Sequence, residues 1–214
     1  MSEITRPALA LFDFDGTITD EDMFSLFLNY SATGLRKWLG KIVITPFYML
    51  YKAGIIPARR MRPIASVIAF SGRDTEQVKV LGERFARDVI IRHLRPKAKE
   101  KLDWHQRRGD TIVIVSASLN AYLKPWCNAQ GYHLLCSEVL NDSKRMSGLY
   151  RYGDCSSERK AERVTATFDL SHYCTVYAYG DTHEDIPMLK LADIAMMNWQ
   201  PWSSNSNLCD INNG

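Results

Sequence analysis

The residues ALALFDFDGT, positions 8–17, set the architecture that we expect for this chain. Their apolar first half predicts a buried strand, and Asp13 and Asp15 stand where that strand ends. Gly16 permits a turn at this point, because a residue without a Cβ atom tolerates unusual backbone angles. Aspartates at the carboxyl end of such a strand point into the crevice where open α/β sheets bind ligands. The pair suits a nucleophile with a general acid or base, a Mg²⁺ site, or both.

Three later segments place further polar groups at comparable positions. The segment TIVIVSAS, positions 111–118, is a β-branched run that predicts a strand from Thr111 to Val115 and ends in hydroxyl and small residues. The segment TVYAYGDTHED, positions 175–185, predicts a strand that ends in Gly-Asp. Lys160 lies at the start of a predicted helix. Taken alone, Ser116 is also compatible with a helix N-cap, and Lys160 with a solvated lysine. The order of all four segments favours one shared site.

Strands alternate with helical patterns along most of the chain, which predicts an α/β fold with a doubly wound, mainly parallel, Rossmann-like sheet. Residues 21–94 are helical in pattern and too numerous for a single crossover, so we expect an inserted all-helical cap domain there. The catalytic core then comprises residues 1–20 and 95–202. Residues 203–214 are mostly Asn and Ser, and we expect a disordered tail.

Local signals divide these regions further. Pro46, the segment 54–57 and Pro63 predict breaks between cap helices. Two β-prone pieces, 138–140 and 148–152, predict a hairpin across a polar turn, and a last strand is expected after it, near the end of the core, at 194–197.

The four segments resemble the motifs of the haloacid-dehalogenase-like (HAD) phosphatase superfamily, in the same order and from Ala8 to Asn198. The resemblance implies that Asp13 is the nucleophile and passes through an aspartyl-phosphate. Asp15 would protonate the leaving alcohol and then deprotonate the attacking water. An all-helical cap at this position is common in the family and closes over the active site.

The same resemblance assigns the remaining site residues. Ser116 would donate its hydroxyl to the phosphoryl oxygens, together with the backbone N–H of Ala117. Lys160 would neutralise the nucleophile and the transferring phosphoryl group. Mg²⁺ would be the cofactor and cancel charge before chemistry starts. Its ligands would be the Asp13 carboxylate, the Asp15 backbone carbonyl, Asp181 and Asp185, the last directly or through water.

The nearest subgroup by layout is the phosphoserine-phosphatase-like one, so the expected substrate is a small phosphorylated metabolite. Enzymes of that subgroup hold the substrate amine with an acid of the first cap helix, and Asp22 stands near that position in place of the usual Glu. They grip the substrate carboxylate with a cap arginine, where this chain has Ser66. Arg59, Arg60 and Arg62 are the candidates to substitute for that arginine.

The cap sequence is strongly basic, since the chain between Met23 and Arg73 has eight Lys and Arg residues and no Asp or Glu. Such a block suggests an anionic partner, although solvated helix faces also produce it. The apolar run 42–51, between Lys41 and Lys52, suits weak contact with a membrane surface. Burial in the cap's own core is the other interpretation. The alternative function is therefore a lipid-phosphate phosphatase, similar to HAD enzymes that act on phosphatidylglycerophosphate.

Other classes fit less well. A haloacid dehalogenase lacks the second acid, present here as Asp15, and a response-regulator receiver domain is shorter and has no helical insert. A phospho-ligand sensor or binding module on the same scaffold is the non-enzyme alternative. Five cysteines without metal-ligand spacing and a polar N-terminus favour a cytoplasmic protein. We expect no nucleic-acid partner, and the pattern leaves the oligomeric state open.

Overall fold

A six-stranded sheet forms the centre of the computed structural model, which describes residues 6–32, 34–55, 57–142 and 144–203. The strands are β1 Leu9–Phe12, β2 Thr111–Leu119, β3 His133–Ser137, β4 Val139–Asn141, β5 Met146–Tyr150, β6 Val176–Gly180, β7 Ile194–Met197 and β8 Gln200–Trp202. The sheet order is β3-β2-β1-β6-β7-β8, and β7 and β8 are its antiparallel pair. The strands β4 and β5 form a separate antiparallel hairpin, as predicted.

Helices cover both faces of this sheet. The helices are α1 Met23–Ser31, α2 Gly34–Lys52, α3 Ala58–Phe70, α4 Thr75–Asp88, α5 Pro96–Arg108, α6 Asn120–Gln130, α7 Glu158–Thr167 and α8 Ile186–Leu189. Ala10 and Phe12 of β1 join a buried cluster with side chains of α1, α4, α5 and α6. Leu9 and Leu11 point to the other face and join a cluster with α7 and α8. The predicted doubly wound, mainly parallel fold is therefore confirmed.

In the described part of the chain, five α-helices, α1 to α5, lie between β1 and β2, and the first four fall within the predicted cap. Phe27 of α1 and Phe85 of α4 pack on Tyr122 of α6, with ring centroids 4.9 and 5.2 Å apart. Helix α3 packs on β5, where a Cβ atom at Gly148 would lie 2.6 Å from the Cα of Val67. Buried aromatic side chains thus pack the helical insertion against the part of the chain that forms the sheet. The boundary of the insertion, at residues 21–94, stays a prediction.

The predicted breaks in the cap are wrong at two of three places. Pro46 lies inside α2 and Pro63 inside α3, so neither proline ends its helix. A proline removes one backbone hydrogen bond from a helix, and the remaining bonds of these two helices carry them past it. The segment 54–57 does separate α2 from α3.

Two features of the sheet differ from the sequence prediction. Strand β2 continues to Leu119, beyond the predicted end at Val115, and its pairing with β3 shifts register after Ser116. Strand β8 was not predicted, because Asn198 and Trp199 connect it to β7 with positive φ angles of 52° and 63°. Trp is an unusual residue in such a turn, so the sequence carries no standard hairpin signal there.

Two further expectations concern the tail and the membrane. The predicted disordered tail, 203–214, lies outside the described residues apart from Ser203. Over the ranges that the structure describes, none of the helices combines the length and apolar character that crossing a bilayer would need.

Candidate active site

Three neighbouring strands bring the first site residues to one edge of the sheet. Asp13 follows β1 directly, and its N–H donates to the carbonyl oxygen of Tyr179 at 2.9 Å. Asp181 follows β6, which pairs with β1 on one side, and Ser116 lies in β2 on the other. Because parallel strands end at the same edge of a sheet, segments far apart in sequence meet here.

Lys160, from the first turn of α7, joins two of the aspartates. Its Nζ donates to Oδ1 of Asp13 at 2.5 Å and to Oδ1 of Asp185 at 2.6 Å, and the residue is 3% exposed. The other oxygen of Asp185 accepts the N–H groups of Asp181 and Thr182, at 3.0 and 3.1 Å. Carboxylate oxygens of Asp13, Asp181 and Asp185 lie within 4.8 Å of one another. The structure therefore brings four sequence-predicted residues together as one cluster.

Two glycines make this close approach possible. Gly16 has a φ angle of +80°, and a Cβ atom there would lie 2.0 Å from Oδ2 of Asp181. A Cβ atom at Gly180 would lie 2.5 Å from the Cβ of Asp185. A larger residue at either position would displace an aspartate of the cluster.

Three carboxylates surround a single ammonium group in the cluster. Burial and repulsion from Asp185 raise the pKa of Asp13, despite the attraction of Lys160. Burial and Asp185 also raise the pKa of Asp181 to about 6. Burial also acts to raise the pKa of Asp185. The charge of Lys160 and the hydrogen bonds that Asp185 accepts outweigh burial, however, and lower that pKa. Burial alone would lower the pKa of Lys160, whereas Asp13 and Asp185 raise it.

The cluster has the chemistry of a divalent cation site. Its donors are carboxylate oxygens, the ligand type that Mg²⁺ prefers. Asp13 and Asp185 are buried and Asp181 is half-buried. A cation with two positive charges would relieve the repulsion among the three carboxylates, which Lys160 balances only in part. These residues therefore fit the predicted metal.

Asp15 lies beside the cluster in a separate environment. Its Oδ1 accepts the N–H of Met23 at 2.8 Å, and its Oδ2 accepts the hydroxyl hydrogen of Ser118. Burial, followed by the charge of Asp22, raises the pKa of Asp15 to about 7. A carboxyl group with this pKa can hold or release a proton near neutral pH, as a general acid and base must.

The two predicted phosphate-binding residues of β2 have different positions. Ala117 lines the cavity beside the cluster, whereas Ser116 is fully buried and is not among the described residues that line it. The Oγ of Ser116 accepts the N–H of Ser118 at 3.0 Å. This bond supports the irregular end of β2, and a contact between Ser116 and a phosphoryl group stays a prediction.

A cavity of about 280 Å³ contains the aspartate cluster in its wall. Its cap side has an apolar lining, formed by Phe24, Leu28, Tyr48, Met61 and Ala65. Asp22 also lines the cavity and is the N-cap of α1, because its Oδ1 accepts the N–H groups of Phe24 and Ser25 at 3.0 and 3.3 Å. The predicted substrate contact of Asp22 is thus compatible with its position.

Arg62 of α3 ties the cap wall of the cavity to the core. Its Nη2 donates to Asp154 at 2.9 Å and to Glu184 at 3.0 Å, and its Nε donates to the other oxygen of Asp154 at 3.1 Å. Burial acts to lower the pKa of Arg62, but the two carboxylates outweigh burial and raise it. Arg59 and Arg60 are exposed and do not line the cavity. Of the three candidate arginines, Arg62 alone reaches the site, and its charge is paired.

Sequence reasoning missed several residues at the site. Ser118 and Glu184 both stand inside the quoted motif segments, one or two residues from a predicted site residue, and that proximity was the available signal. Asp154 carried no signal, because a loop acid becomes the partner of a helical arginine only when the chain folds. Ser66 is fully buried and donates to a backbone carbonyl at 2.8 Å, outside the cavity lining.

Comparison with known proteins agrees with this geometry. The family model for haloacid dehalogenase-like hydrolases matches residues 10–190. The chain belongs to this family. The predicted superfamily and enzyme class, a phosphatase-type hydrolase of the HAD fold, are thereby confirmed.

Individual relatives cover most of the chain. Protein CicA of Caulobacter vibrioides is 31% identical over 194 residues, which are 88% of this chain and 84% of that protein. The histidinol-phosphatase of Neisseria meningitidis serogroup C is 25% identical over 197 residues, 86% of each chain. A solved structure of a substrate-bound phosphoserine phosphatase superposes with a TM-score of 0.63 over 89% of this chain and 85% of that one, at 16% identity. The last comparison shows that this chain has a phosphoserine-phosphatase-like fold.

Proposed function

We propose that this protein is a Mg²⁺-dependent phosphomonoester hydrolase that works through an aspartyl-phosphate on Asp13. The observation that carries the proposal is the pairing of two buried acids of different character. Asp13 is held by Lys160, and Asp15 has a pKa of about 7. A nucleophile and a proton donor of this kind are what phosphoryl transfer to a carboxylate requires. A cytoplasmic location suits the four described cysteines, which are free thiols.

The reaction has two steps. In the first, an oxygen of Asp13 attacks phosphorus, the bond between phosphorus and the alcohol oxygen breaks, and Asp15 gives its proton to that oxygen. In the second, water attacks the phosphorus of the aspartyl-phosphate, and Asp15 takes a proton from the water. Asp13 is released as a carboxylate together with inorganic phosphate. Lys160 stabilises the negative charge of Asp13 and of the phosphoryl group in both steps.

The residues that would hold Mg²⁺ are Asp13, Asp181 and Asp185, together with the backbone carbonyl of Asp15. When bound, the ion supplies positive charge that allows an anionic phosphate to approach an anionic nucleophile. Lys160 contacts two of the three carboxylates and offsets a single negative charge.

Hydrolysis of p-nitrophenyl phosphate in Mg²⁺ buffer tests the proposal. Asp13→Asn keeps the shape of the side chain but removes the attacking anion, so turnover should fall by several orders of magnitude. Asp20→Asn, which changes an exposed acid nearby, is the matched control and should keep full activity. Near-wild-type turnover by Asp13→Asn would refute the nucleophile. A wild-type protein inactive on every phosphomonoester would favour the sensor or binding module.

The cavity suits a small phosphomonoester that carries an amine. Asp22 and Glu184 line it besides the cluster, whereas its arginine, Arg62, is paired with Asp154 and Glu184. Ser66, at the position where phosphoserine phosphatases place a carboxylate-binding arginine, does not line the cavity. We therefore propose an aminoalkyl phosphate of the phosphoserine type in which the carboxylate is dispensable. The name of the Neisseria relative points to a substrate of this class.

A panel of four phosphates tests the substrate class. We expect higher kcat/KM for phosphoethanolamine and histidinol phosphate than for phosphoserine or glycerol 3-phosphate. Asp22→Asn should raise KM for the two amines by about tenfold, the scale of one charge-assisted contact. Asn caps a helix as well as Asp does, so α1 is preserved. An equal change for glycerol 3-phosphate would exclude a contact between Asp22 and the amine.

A lipid phosphate at a membrane surface is the second candidate, and exposed residues of α2 favour it. Trp38, Ile42 and Met49 are 70, 67 and 63% exposed, and their spacing places them on one face of the helix. Burial in the cap's own core, the other interpretation of the run 42–51, is therefore wrong for Ile42 and Met49. The chain from Met23 to Arg73 has no Asp or Glu, and Lys52 of α2 is exposed, which suits an anionic lipid surface. Tyr48 of the same helix lines the cavity.

Sedimentation with vesicles tests this candidate. Wild-type protein should bind phosphatidylglycerol vesicles more strongly than phosphatidylcholine vesicles, and Trp38→Ser with Ile42→Ser should weaken binding at least about tenfold. Ile91→Ser removes a similarly exposed apolar side chain outside α2 and is the control. Binding that is absent, or unchanged in the double variant, would remove the lipid candidate.

A further inference from the structure

A chain of hydrogen bonds runs from the hydrophobic core to Asp15. The phenol of Tyr122 donates to Oγ of Ser118 at 2.6 Å, and the Ser118 hydroxyl donates to Oδ2 of Asp15. The N–H of Met23 donates to Oδ1 at 2.8 Å. Each oxygen of the Asp15 carboxyl group therefore accepts from its own donor. These two hydrogen bonds, which come from different elements, fix the orientation of the carboxyl plane.

The direction of these bonds follows from the chemistry of a hydroxyl group. Ser118 has one hydroxyl hydrogen, and because its Oγ accepts from Tyr122, that hydrogen is available for Asp15. Burial raises the pKa of Tyr122 well above its ordinary value, so the phenol stays protonated and remains a donor. Both Ser118 and Tyr122 are fully buried, so water does not compete for these bonds.

Packing holds Ser118 and Tyr122 in place before substrate binds. The Tyr122 ring packs against Phe27 of α1 and Phe85 of α4, with centroids 4.9 and 5.2 Å away. The N–H of Ser118 donates to Oγ of Ser116 at 3.0 Å, where β2 shifts register. The position of the Ser118 hydroxyl is thus determined by the aromatic core and by the irregular end of the strand.

We propose that Ser118, oriented by Tyr122, is a positioning residue that aims the proton of Asp15 at the leaving oxygen of the substrate. The inference rests on the proposed function, because it assumes that Asp15 is the general acid. As the bond between phosphorus and the alcohol oxygen breaks, the Asp15 proton moves to that oxygen, and Ser118 keeps its own hydrogen. The hydrogen bond from Ser118 strengthens as Asp15 becomes a carboxylate, so it stabilises the transition state more than the ground state.

Two substrates of similar size separate positioning of the acid from a general structural role. Nitrophenolate leaves p-nitrophenyl phosphate without needing a proton, whereas the alkoxide of benzyl phosphate needs one. The parameter kcat/KM covers the steps up to departure of the leaving group, so it reports on the acid. Loss of the acid's orientation should therefore lower kcat/KM for benzyl phosphate and spare p-nitrophenyl phosphate.

The variants are Ser118→Ala and Tyr122→Phe. Ser118→Ala should lower kcat/KM for benzyl phosphate about tenfold more than for p-nitrophenyl phosphate, the scale of one hydrogen bond to a charged group. Tyr122→Phe should change the ratio in the same direction by less, and it carries the test if Ser118→Ala does not fold. Ser66→Ala is the control. Like Ser118, Ser66 has a fully buried hydroxyl, but this one donates to a backbone carbonyl, so its removal should leave the ratio of kcat/KM for the two substrates unchanged.

Combination with Asp15→Asn completes the test. If Ser118 acts through Asp15, Ser118→Ala should add little to the loss already caused by Asp15→Asn on benzyl phosphate. Equal losses on both substrates, or additive losses in the double variant, would overturn the inference while leaving the proposed function intact. A wild-type protein that hydrolyses neither substrate with Mg²⁺ would overturn both.

Discussion

At the scale of single residues, Asp15 combines a catalytic position with a cost in stability. Its pKa rises from an ordinary 3.8 to about 7 on folding, first of all because it is buried. Between these two values the folded protein holds a proton that the unfolded chain has released. The free energy of unfolding therefore falls as the pH rises through this window, and stays lowered above it.

Asp15→Asn removes this penalty. In EDTA at pH 8, urea denaturation should show the variant to be more stable than the wild type by about 2 kcal/mol or more, on the scale of the pKa shift. The difference should shrink as the pH falls towards 4, where wild-type Asp15 is protonated in both states. Asp20→Asn should show no such trend, and a difference that does not vary with pH would contradict the prediction.

Gly16 shows how one missing side chain shapes the metal site. Gly16→Ala forces a Cβ atom into the space of the Asp181 carboxylate, and it strains a backbone with φ +80°. Mg²⁺ affinity, measured by calorimetry, should fall at least about tenfold, the scale of one displaced ligand. Gly109→Ala is the control, because its φ is +72° and no atom lies within 4 Å of the added Cβ. Equal effects of both variants would mean that backbone strain, not Asp181, is responsible.

At the scale of elements, Arg62 connects α3 to the loops before α7 and after β6. Arg62→Met would leave Asp154, whose side chain is 6% exposed, as an unpaired buried charge. The free energy of unfolding in urea should fall by about 3 kcal/mol. Adding Asp154→Asn should recover part of that loss, because the stranded charge is then gone.

The matched control for this element-scale prediction is Arg87→Met. Arg87 and Asp88 form an exposed pair, with side chains 69% and 47% exposed. Removing Arg87 should therefore leave the free energy of unfolding nearly unchanged, because exposed ion pairs contribute little to stability. A similar loss for both arginines would show that the Arg62 pair does not hold α3 against the core.

At the scale of the whole molecule, the metal cluster should link Mg²⁺ binding to folding. Asp13 follows β1, whereas Asp181 and Asp185 follow β6, so an ion that binds all three carboxylates binds the folded state. At 100 times its Kd, such a ligand stabilises a protein by about 2.7 kcal/mol. Saturating Mg²⁺ should accordingly raise Tm by several degrees over EDTA. Asp181→Asn should abolish this rise in Tm. Asp169→Asn changes an exposed acid and should preserve the rise, so it is the control. An undiminished rise in Asp181→Asn would exclude the cluster as the binding site.

Local pattern sufficed to predict most of the strands, although not β8, together with the doubly wound class and the acids at the strand ends. A buried strand is recognised by its own apolar run, and a turn by its own glycine, so Asp13, Asp15 and Asp181 could be assigned without coordinates. The resemblance supplied their roles. Comparison with the family model confirms the family that the motifs indicated.

The tertiary structure alone decided which partners these residues have. Ser118 meets Asp15 across 103 positions of the chain, and Arg62 meets Asp154 across 92. The pairing of β2 with β3 shifts register between Ser116 and Leu119, and Ser118, which lies in that stretch, donates to Asp15. Hydrophobic period and turn chemistry act over a few residues, whereas these contacts depend on strand register and helix packing between distant segments. For that physical reason the sequence located the proposed nucleophile and the proposed acid, and only the fold revealed what holds and orients them.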